Sequence, residues 1–93
     1  MSKPKRERLF NLHKKLCQQA LSLMKDRNQK YARADDPFRN FRRHGRKGIV
    51  TRLDDKLARL DNHADNPQEF TDESLRDTIL DVINYAILYY AYK

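Results

Sequence analysis

The feature that most constrains this chain is a long apolar stretch, residues 75–92, that carries acidic side chains inside it. Asp77 and Asp81 lie one helical turn apart, Glu73 precedes them by a turn, and Asn84 follows. In a helix these four positions fall within an arc of about 80°. A carboxylate beside a packed core is costly unless a partner compensates its charge. The fold must therefore bring a metal ion or an arginine or lysine to this polar stripe.

The rest of the pattern predicts an all-α fold in a single domain, residues 1–93. The chain has only two glycines and three prolines, and no strand-like alternation persists. Apolar residues recur every three or four positions over about 7–29 and 49–63, and the third helix covers about 71–92. Residues 30–48 form a basic aromatic loop. Because three such helices leave apolar surface uncovered, we predict a three-helix unit that completes a helical bundle by homo-oligomerisation.

Charge is distributed unevenly along the chain. Of the 20 lysines and arginines, 15 lie in residues 1–50, which hold only 4 of the 13 acidic residues. This basic half indicates contact with phosphate or a polyanion, or neutralisation by the acidic half within the fold or between subunits.

Cysteine usage and hydropathy indicate a cytoplasmic location. The single cysteine, Cys17, excludes an intramolecular disulfide, and we expect it to be a buried apolar filler rather than a nucleophile. The basic residues at the start of the sequence are not followed by an apolar run. The last apolar stretch is short and interrupted by polar residues, so we expect no membrane partner.

The loop 30–48 interleaves aromatic residues with arginines and lysines. Tyr31, Phe38 and Phe41 alternate with a basic run that extends to Lys47. Basic groups bind phosphates and aromatic rings stack on bases, so the segment favours a nucleotide or single-strand contact. The alternative is a loop that its two phenylalanines pin to the core, with solvated arginines outside.

The polar stripe supports a divalent-cation hypothesis. Carboxylates at i and i+4 can share Mg²⁺, which accepts one or two of them together with phosphate oxygens. If Asp55 faces Asp77 and Asp81, three acids would hold Mg²⁺, which would polarise a phosphoryl group and help to generate hydroxide. Three cations of the second helix would then receive a triphosphate: Arg52, Lys56 and Arg59. The alternative is a buried ion-pair network of Asp77 and Asp81 with Arg52 and Arg59 that fixes the helix register.

Three sequence blocks occur in order: KYxxxxxPFRNF from Lys30, GIxxRxxDKxxRL from Gly48, and DESxxDTxxDxxNYAIL from Asp72. Over about residues 25–90 they resemble the nucleotide-modification-associated domain 1 family. These are small phage and bacterial proteins akin to the all-α nucleoside-triphosphate pyrophosphohydrolases of the MazG type. The resemblance implies an all-α fold, a role in modified-nucleotide metabolism and Mg²⁺-dependent release of pyrophosphate. The DVxxY run from Asp81 is similar to the helix that carries the last metal acid in MazG-type enzymes.

The resemblance and the residue chemistry together give each motif position a role. The metal acids are Asp55, Glu73, Asp77 and Asp81, of which Asp55, Asp77 and Asp81 are also catalytic. The phosphate-binding residues are Lys30, Arg52, Lys56 and Arg59. The residues that contact the base or nucleotide are Tyr31, Phe38, Asn40, Phe41, Asn84 and Tyr85.

Two departures from the family pattern keep other functions open. The chain lacks the ExxE pair of MazG-type enzymes, and Lys30-Tyr31-Ala32 stands where relatives have Asp-Tyr-Gly. Loss of this acid leaves either a site with fewer metals or a protein that binds nucleotides without hydrolysing them. A different class of function is a small binding module that contacts nucleic acid or an acidic host protein through residues 1–50. A third is an architectural oligomer without a ligand.

Overall fold

The computed structural model of the chain is a three-helix arrangement. It describes the backbone of residues 2–31 and 36–93, and the side chains of residues 4–29 and 36–93. Three α-helices and two short 3₁₀ turns follow in the order α1 (Ser2–Tyr31), Arg39–Phe41, α2 (Arg46–Asp65), Pro67–Glu69 and α3 (Asp72–Ala91). No strand occurs in these ranges, which confirms the predicted all-α class. Within them no helix is both long and apolar enough to cross a membrane.

The start of each helix is set by a local sequence feature. α1 begins about five residues earlier than predicted, because proline is tolerated in a first helical turn and Pro4 lies there. α2 begins directly after Gly45, whose φ of 62° lies in the left-handed region that glycine adopts at little cost. The Thr71 hydroxyl accepts a hydrogen bond from the Ser74 amide at 3.0 Å, so Thr71 is the N-cap of α3.

α3 is the central helix and packs against both α1 and α2. Among the described residues the buried hydrophobic side chains are one from each helix: Ala20, Ile49 and Leu80. The other buried side chains are polar and belong to α3: Thr78, Asp81 and Asn84. Of the predicted polar stripe of α3, Asp81 and Asn84 therefore lie inside the helix bundle, whereas Glu73 and Asp77 are exposed, and the apolar core is small.

The first half of α1 projects from this bundle. The molecule measures 49 × 27 × 22 Å, and a 30-residue helix is about 45 Å long, so α1 defines the long axis. Every side chain from residue 4 to 15 is exposed. Cys17 is also exposed, so the prediction that it is buried is wrong. The reason is that α1 becomes buried only from Ala20 onward, where it reaches α3.

Candidate functional site

The centre of the candidate site is the carboxylate of Asp81, where all three helices meet. Arg27 Nη1 of α1 lies 3.0 Å from Asp81 Oδ1, and Lys56 Nζ of α2 lies 2.9 Å from Asp81 Oδ2. The Asp81 side chain is 11% exposed, whereas those of Arg27 and Lys56 are 46% and 27% exposed. Each carboxylate oxygen thus has its own cation, and the ion pairs fix the register of the three helices.

The ion-pair alternative anticipated a paired acid but named other partners. Arg59 Nε instead donates to Thr78 Oγ1 at 3.4 Å, and Arg52 lines a separate groove. Lys56 was predicted to hold phosphate, yet its ammonium group is bound to Asp81.

Arg27 is the side chain of this candidate site that the sequence reasoning missed. It follows Leu23 by four residues and Ala20 by seven, and therefore lies on the face of α1 that packs against α3. A cation on an otherwise apolar helix face indicates an acidic partner on a neighbouring helix. That signal was present in the sequence, but it does not say which acid is the partner.

Beside the ion pairs lies a cavity of about 520 Å³, which we name the acidic cavity. Glu73 and Asp77, one turn apart on α3, are exposed along it. All three helices contribute to its lining: Leu23, Arg27, Lys56, Arg59, Thr71, Glu73, Ser74, Asp77, Thr78 and Asp81. Three cations and three carboxylates share this space, so their formal charges cancel, and the name refers only to the three acids of α3.

The predicted cluster of Asp55, Asp77 and Asp81 is not formed. Asp55 is exposed on α2 and lines none of the cavities described in this section. In the part of the chain that the structure describes, no group of three or more His, Cys, Asp or Glu side chains is placed to hold a metal ion. The physical reason is that α2 turns Lys56, rather than Asp55, toward α3.

A second cavity of about 730 Å³ lies between the first 3₁₀ turn, the start of α2 and α3, and we name it the basic groove. Lys47 and Arg52 supply its positive charge. The rings of Phe41 and Tyr85 meet edge to face beside them, with centroids 6.3 Å apart. The lining consists of Asn40, Phe41, His44, Lys47, Gly48, Thr51, Arg52 and Tyr85.

A third, more apolar pocket of about 130 Å³ adjoins both of these cavities. It shares Asn40, Phe41 and Tyr85 with the basic groove, and Arg27 with the acidic cavity. Its other lining residues are Met24, Asn28, Asp36, Pro37, Arg39, Asn84 and Leu88. Pockets for drug-sized ligands begin at about 300 Å³. This apolar pocket is therefore of a size for one small ring system.

The basic loop is held to the end of α3 by its own side chains. Phe38 packs edge to face on Tyr92, with centroids 5.3 Å apart, and the Arg42 guanidinium lies over both rings. Arg46 Nη2 donates to the main-chain oxygen of Tyr92 at 3.0 Å, and its guanidinium lies over the Tyr89 ring. Phe38, Arg42 and Arg46 are thus occupied within the fold. This matches the pinned-loop alternative better than a platform for a base at Phe38.

Arg42 also forms a two-point ion pair with Asp36. Arg42 Nε and Nη2 donate to the two Asp36 oxygens at 3.0 and 2.8 Å. This hydrogen bonding lowers the pKa of the Asp36 carboxyl below its ordinary value of 3.8, and the amide of Phe38 adds a further bond. The same pairing raises the pKa of Arg42.

The structure separates the predicted site residues into three groups. The basic groove and apolar pocket contain Asn40, Phe41, Arg52, Asn84 and Tyr85. The acidic cavity contains Lys56, Arg59, Glu73, Asp77 and Asp81. Phe38 and Asp55 lie outside all three cavities, and the side chains of Lys30 and Tyr31 lie outside the described residues.

Comparison with known proteins does not test the family resemblance, which stays a prediction from sequence. No family model, no curated protein and no solved structure matches this chain.

Proposed function

We propose that this protein binds a nucleotide, with the base in the apolar pocket and the phosphates in the basic groove. The observation that carries the proposal is the position of Phe41 and Tyr85. Their rings line both cavities, and Lys47 and Arg52 lie next to them in the groove. A flat aromatic group joined to an anionic group is the ligand chemistry that fits this order of side chains.

The apolar pocket supplies both stacking surface and hydrogen-bonding groups. Asn84 Nδ2 donates to the main-chain oxygen of Ala20 at 3.0 Å, which fixes the orientation of the amide. Asn28 and Asn40 add further amide groups to the lining. An amide has both donors and acceptors, so these side chains match the mixed edge of a base.

The basic groove supplies the charge that phosphates require. Lys47 lies in the first turn of α2, where unpaired backbone N–H groups favour anions. Arg52, in the next turn of α2, lines the same groove, and an arginine can bind two phosphate oxygens at once. Arg42 and Arg46 have partners elsewhere in the fold, so the groove depends on Lys47 and Arg52.

We extend the proposal to Mg²⁺-dependent release of pyrophosphate from a nucleoside triphosphate, in the metabolism of modified nucleotides in the cytoplasm. Glu73 and Asp77 are the candidate metal acids for this step, because Mg²⁺ needs only one or two carboxylates when phosphate oxygens complete its shell. Both acids line the acidic cavity, which shares Arg27 with the apolar pocket and no residue with the basic groove, so for hydrolysis the triphosphate would lie in the acidic cavity rather than in the groove. Asp81 has two cations already, so its role is to position Arg27 and Lys56. We also propose that the working form is a homo-oligomer.

Calorimetric titration of nucleoside triphosphates, with and without Mg²⁺, tests the binding proposal. Arg52→Ala should weaken binding by about 10- to 100-fold, since a charge-assisted hydrogen bond contributes about 1.5–3 kcal/mol. Arg43→Ala is the matched control, because Arg43 is exposed and lines none of the three cavities. Its effect should be below about twofold, as expected of a distant surface charge.

Each outcome of this titration has a defined meaning. Absence of saturable binding to the wild type at millimolar nucleotide would refute the proposal. Equal losses in both variants, with a steep dependence on salt, would indicate general polyanion binding by the basic half. Pyrophosphate release that requires Mg²⁺ and disappears in Glu73→Gln and Asp77→Asn would support the hydrolytic step. Binding without release would leave a nucleotide-binding protein.

A further inference from the structure

The structure leaves the apolar face of the projecting half of α1 uncovered, and we infer that a second copy of this chain covers it. The inference rests on the homo-oligomer proposed above and names its surface. We call this surface the α1 stripe and define it by Leu9, Leu12 and Leu16.

The α1 stripe has the form of a helix-packing surface. Leu9 and Leu12 are 62% and 48% exposed, and Leu16 is half-buried. Leu9, Leu12 and Leu16 follow one another at spacings of three and four, which is the repeat of helices that pack side by side. The stripe can therefore pack against one neighbouring helix.

The surface area of the chain agrees with a missing subunit. A folded monomer of 11.2 kDa exposes about 5,700 Å², whereas this chain exposes 7599 Å². The excess of roughly 1,900 Å² lies within the area that each subunit buries in a large, obligate interface. The radius of gyration is 15.3 Å, against about 12 Å for a compact chain of this length.

The small core favours a second copy over a different partner. Ala20, Ile49 and Leu80 are the buried hydrophobic residues among the described ones, which is little for a stable domain. A chain with so small a core needs its partner whenever it folds. A second copy is present at the same concentration, and a two-fold axis lets the same stripe serve both subunits.

The charges on α1 oppose this arrangement at low salt. Lys14 lies about 140° from Leu9 around the helix, but Arg8 and Lys15 flank the stripe beside Leu12, and Lys5 lies on the same face as Leu9. Two copies still bring cationic helices together, and salt screens this repulsion while apolar contact persists. Added salt should therefore strengthen self-association, whereas it weakens binding to nucleic acid.

Sedimentation equilibrium of the full chain between about 10 and 100 µM tests the inference. The wild type should be oligomeric, and Leu9→Lys with Leu12→Lys should raise the dissociation constant by about 100-fold or more, since burial of each leucine contributes more than tenfold. Leu57→Lys is the control, because Leu57 is 46% exposed but lies on α2. It should leave the dissociation constant within about threefold.

A spin label on Cys17 keeps the test independent of those variants. Cys17 is exposed on α1, five residues beyond Leu12. Two α1 helices that cross near Leu12 would place the two Cys17 backbones about 10 Å apart if they run parallel and about 17 Å apart if they run antiparallel, within reach of a dipolar measurement. A short, well-defined distance in the wild-type oligomer would support the inference, and the absence of dipolar coupling would overturn it.

The failures are distinguishable from one another. A wild type that stays monomeric at 100 µM would overturn both the inference and the proposed oligomer. An oligomer that Leu9→Lys with Leu12→Lys does not weaken would overturn the α1 stripe alone. Neither leucine lines a cavity of the nucleotide site, so failure of the nucleotide titration would leave the result for the α1 stripe unaffected.

Discussion

Replacement of Asp81 by asparagine separates a structural role of this acid from a catalytic one. Asparagine keeps the shape of the side chain but removes the charge that Arg27 and Lys56 share at 3.0 and 2.9 Å. If Asp81 were only a metal-binding acid, the variant would lose activity and keep its stability. Because the structure shows it inside the helix interface with both oxygens paired, we expect a clear loss of stability.

The magnitude follows from burial of the three side chains. Two charge-assisted hydrogen bonds contribute at most about 3–6 kcal/mol, and loss of one partner from a fully buried pair costs about 3–5 kcal/mol. Arg27 and Lys56 are 46% and 27% exposed, so water compensates part of the loss. An asparagine oxygen can also still accept one bond. We therefore expect Asp81→Asn to lower the free energy of unfolding by about 2 kcal/mol, or Tm by about 8–16 °C.

Urea denaturation followed by circular dichroism measures this change, with all variants at one protein concentration because self-association shifts apparent stability. Asp77→Asn is the matched control, since Asp77 is exposed one turn earlier on α3, and it should change stability by less than about 0.5 kcal/mol. A double-mutant cycle of Asp81→Asn with Lys56→Met should give a coupling of about 1 kcal/mol. Equal stability of the two asparagine variants, or a coupling of zero, would refute the ion-pair reasoning.

Two further predictions concern other contacts of the same fold. Asn84→Ala removes the buried bond to the Ala20 oxygen and leaves a small void, so it should cost about 1.5–3 kcal/mol in urea denaturation, while the exposed Asn11→Ala should cost almost nothing. The pKa of Asp36 is lowered in the folded state, so its ion pair stabilises the fold above pH 3.8, and the stabilisation is lost as the pH falls through the lowered pKa. In thermal unfolding from pH 2 to 7, the Tm of the wild type should exceed that of Asp36→Asn near neutral pH. The two Tm values should be equal at the lowest pH.

The sequence by itself determined the helices and much of their termini. Apolar spacing identified α1, α2 and α3, and Thr71 marked the start of α3, because these features depend on neighbours along the chain. It also showed that Asp81 needed a partner of opposite charge, since a carboxylate on an apolar face is costly wherever that face is buried.

Only the tertiary structure decided which partners these residues have. Arg27 and Lys56 are 54 and 25 residues away from Asp81 in sequence, and only the crossing of three helices brings them to it. The same packing turns Asp55 to the solvent and pins Phe38 to Tyr92 instead of leaving it free for a ligand. Helical periodicity gives the face on which a residue lies, but not the helix opposite or the angle at which the two cross. Those depend on how all the side chains pack together, and so they were fixed only when the bundle was assembled.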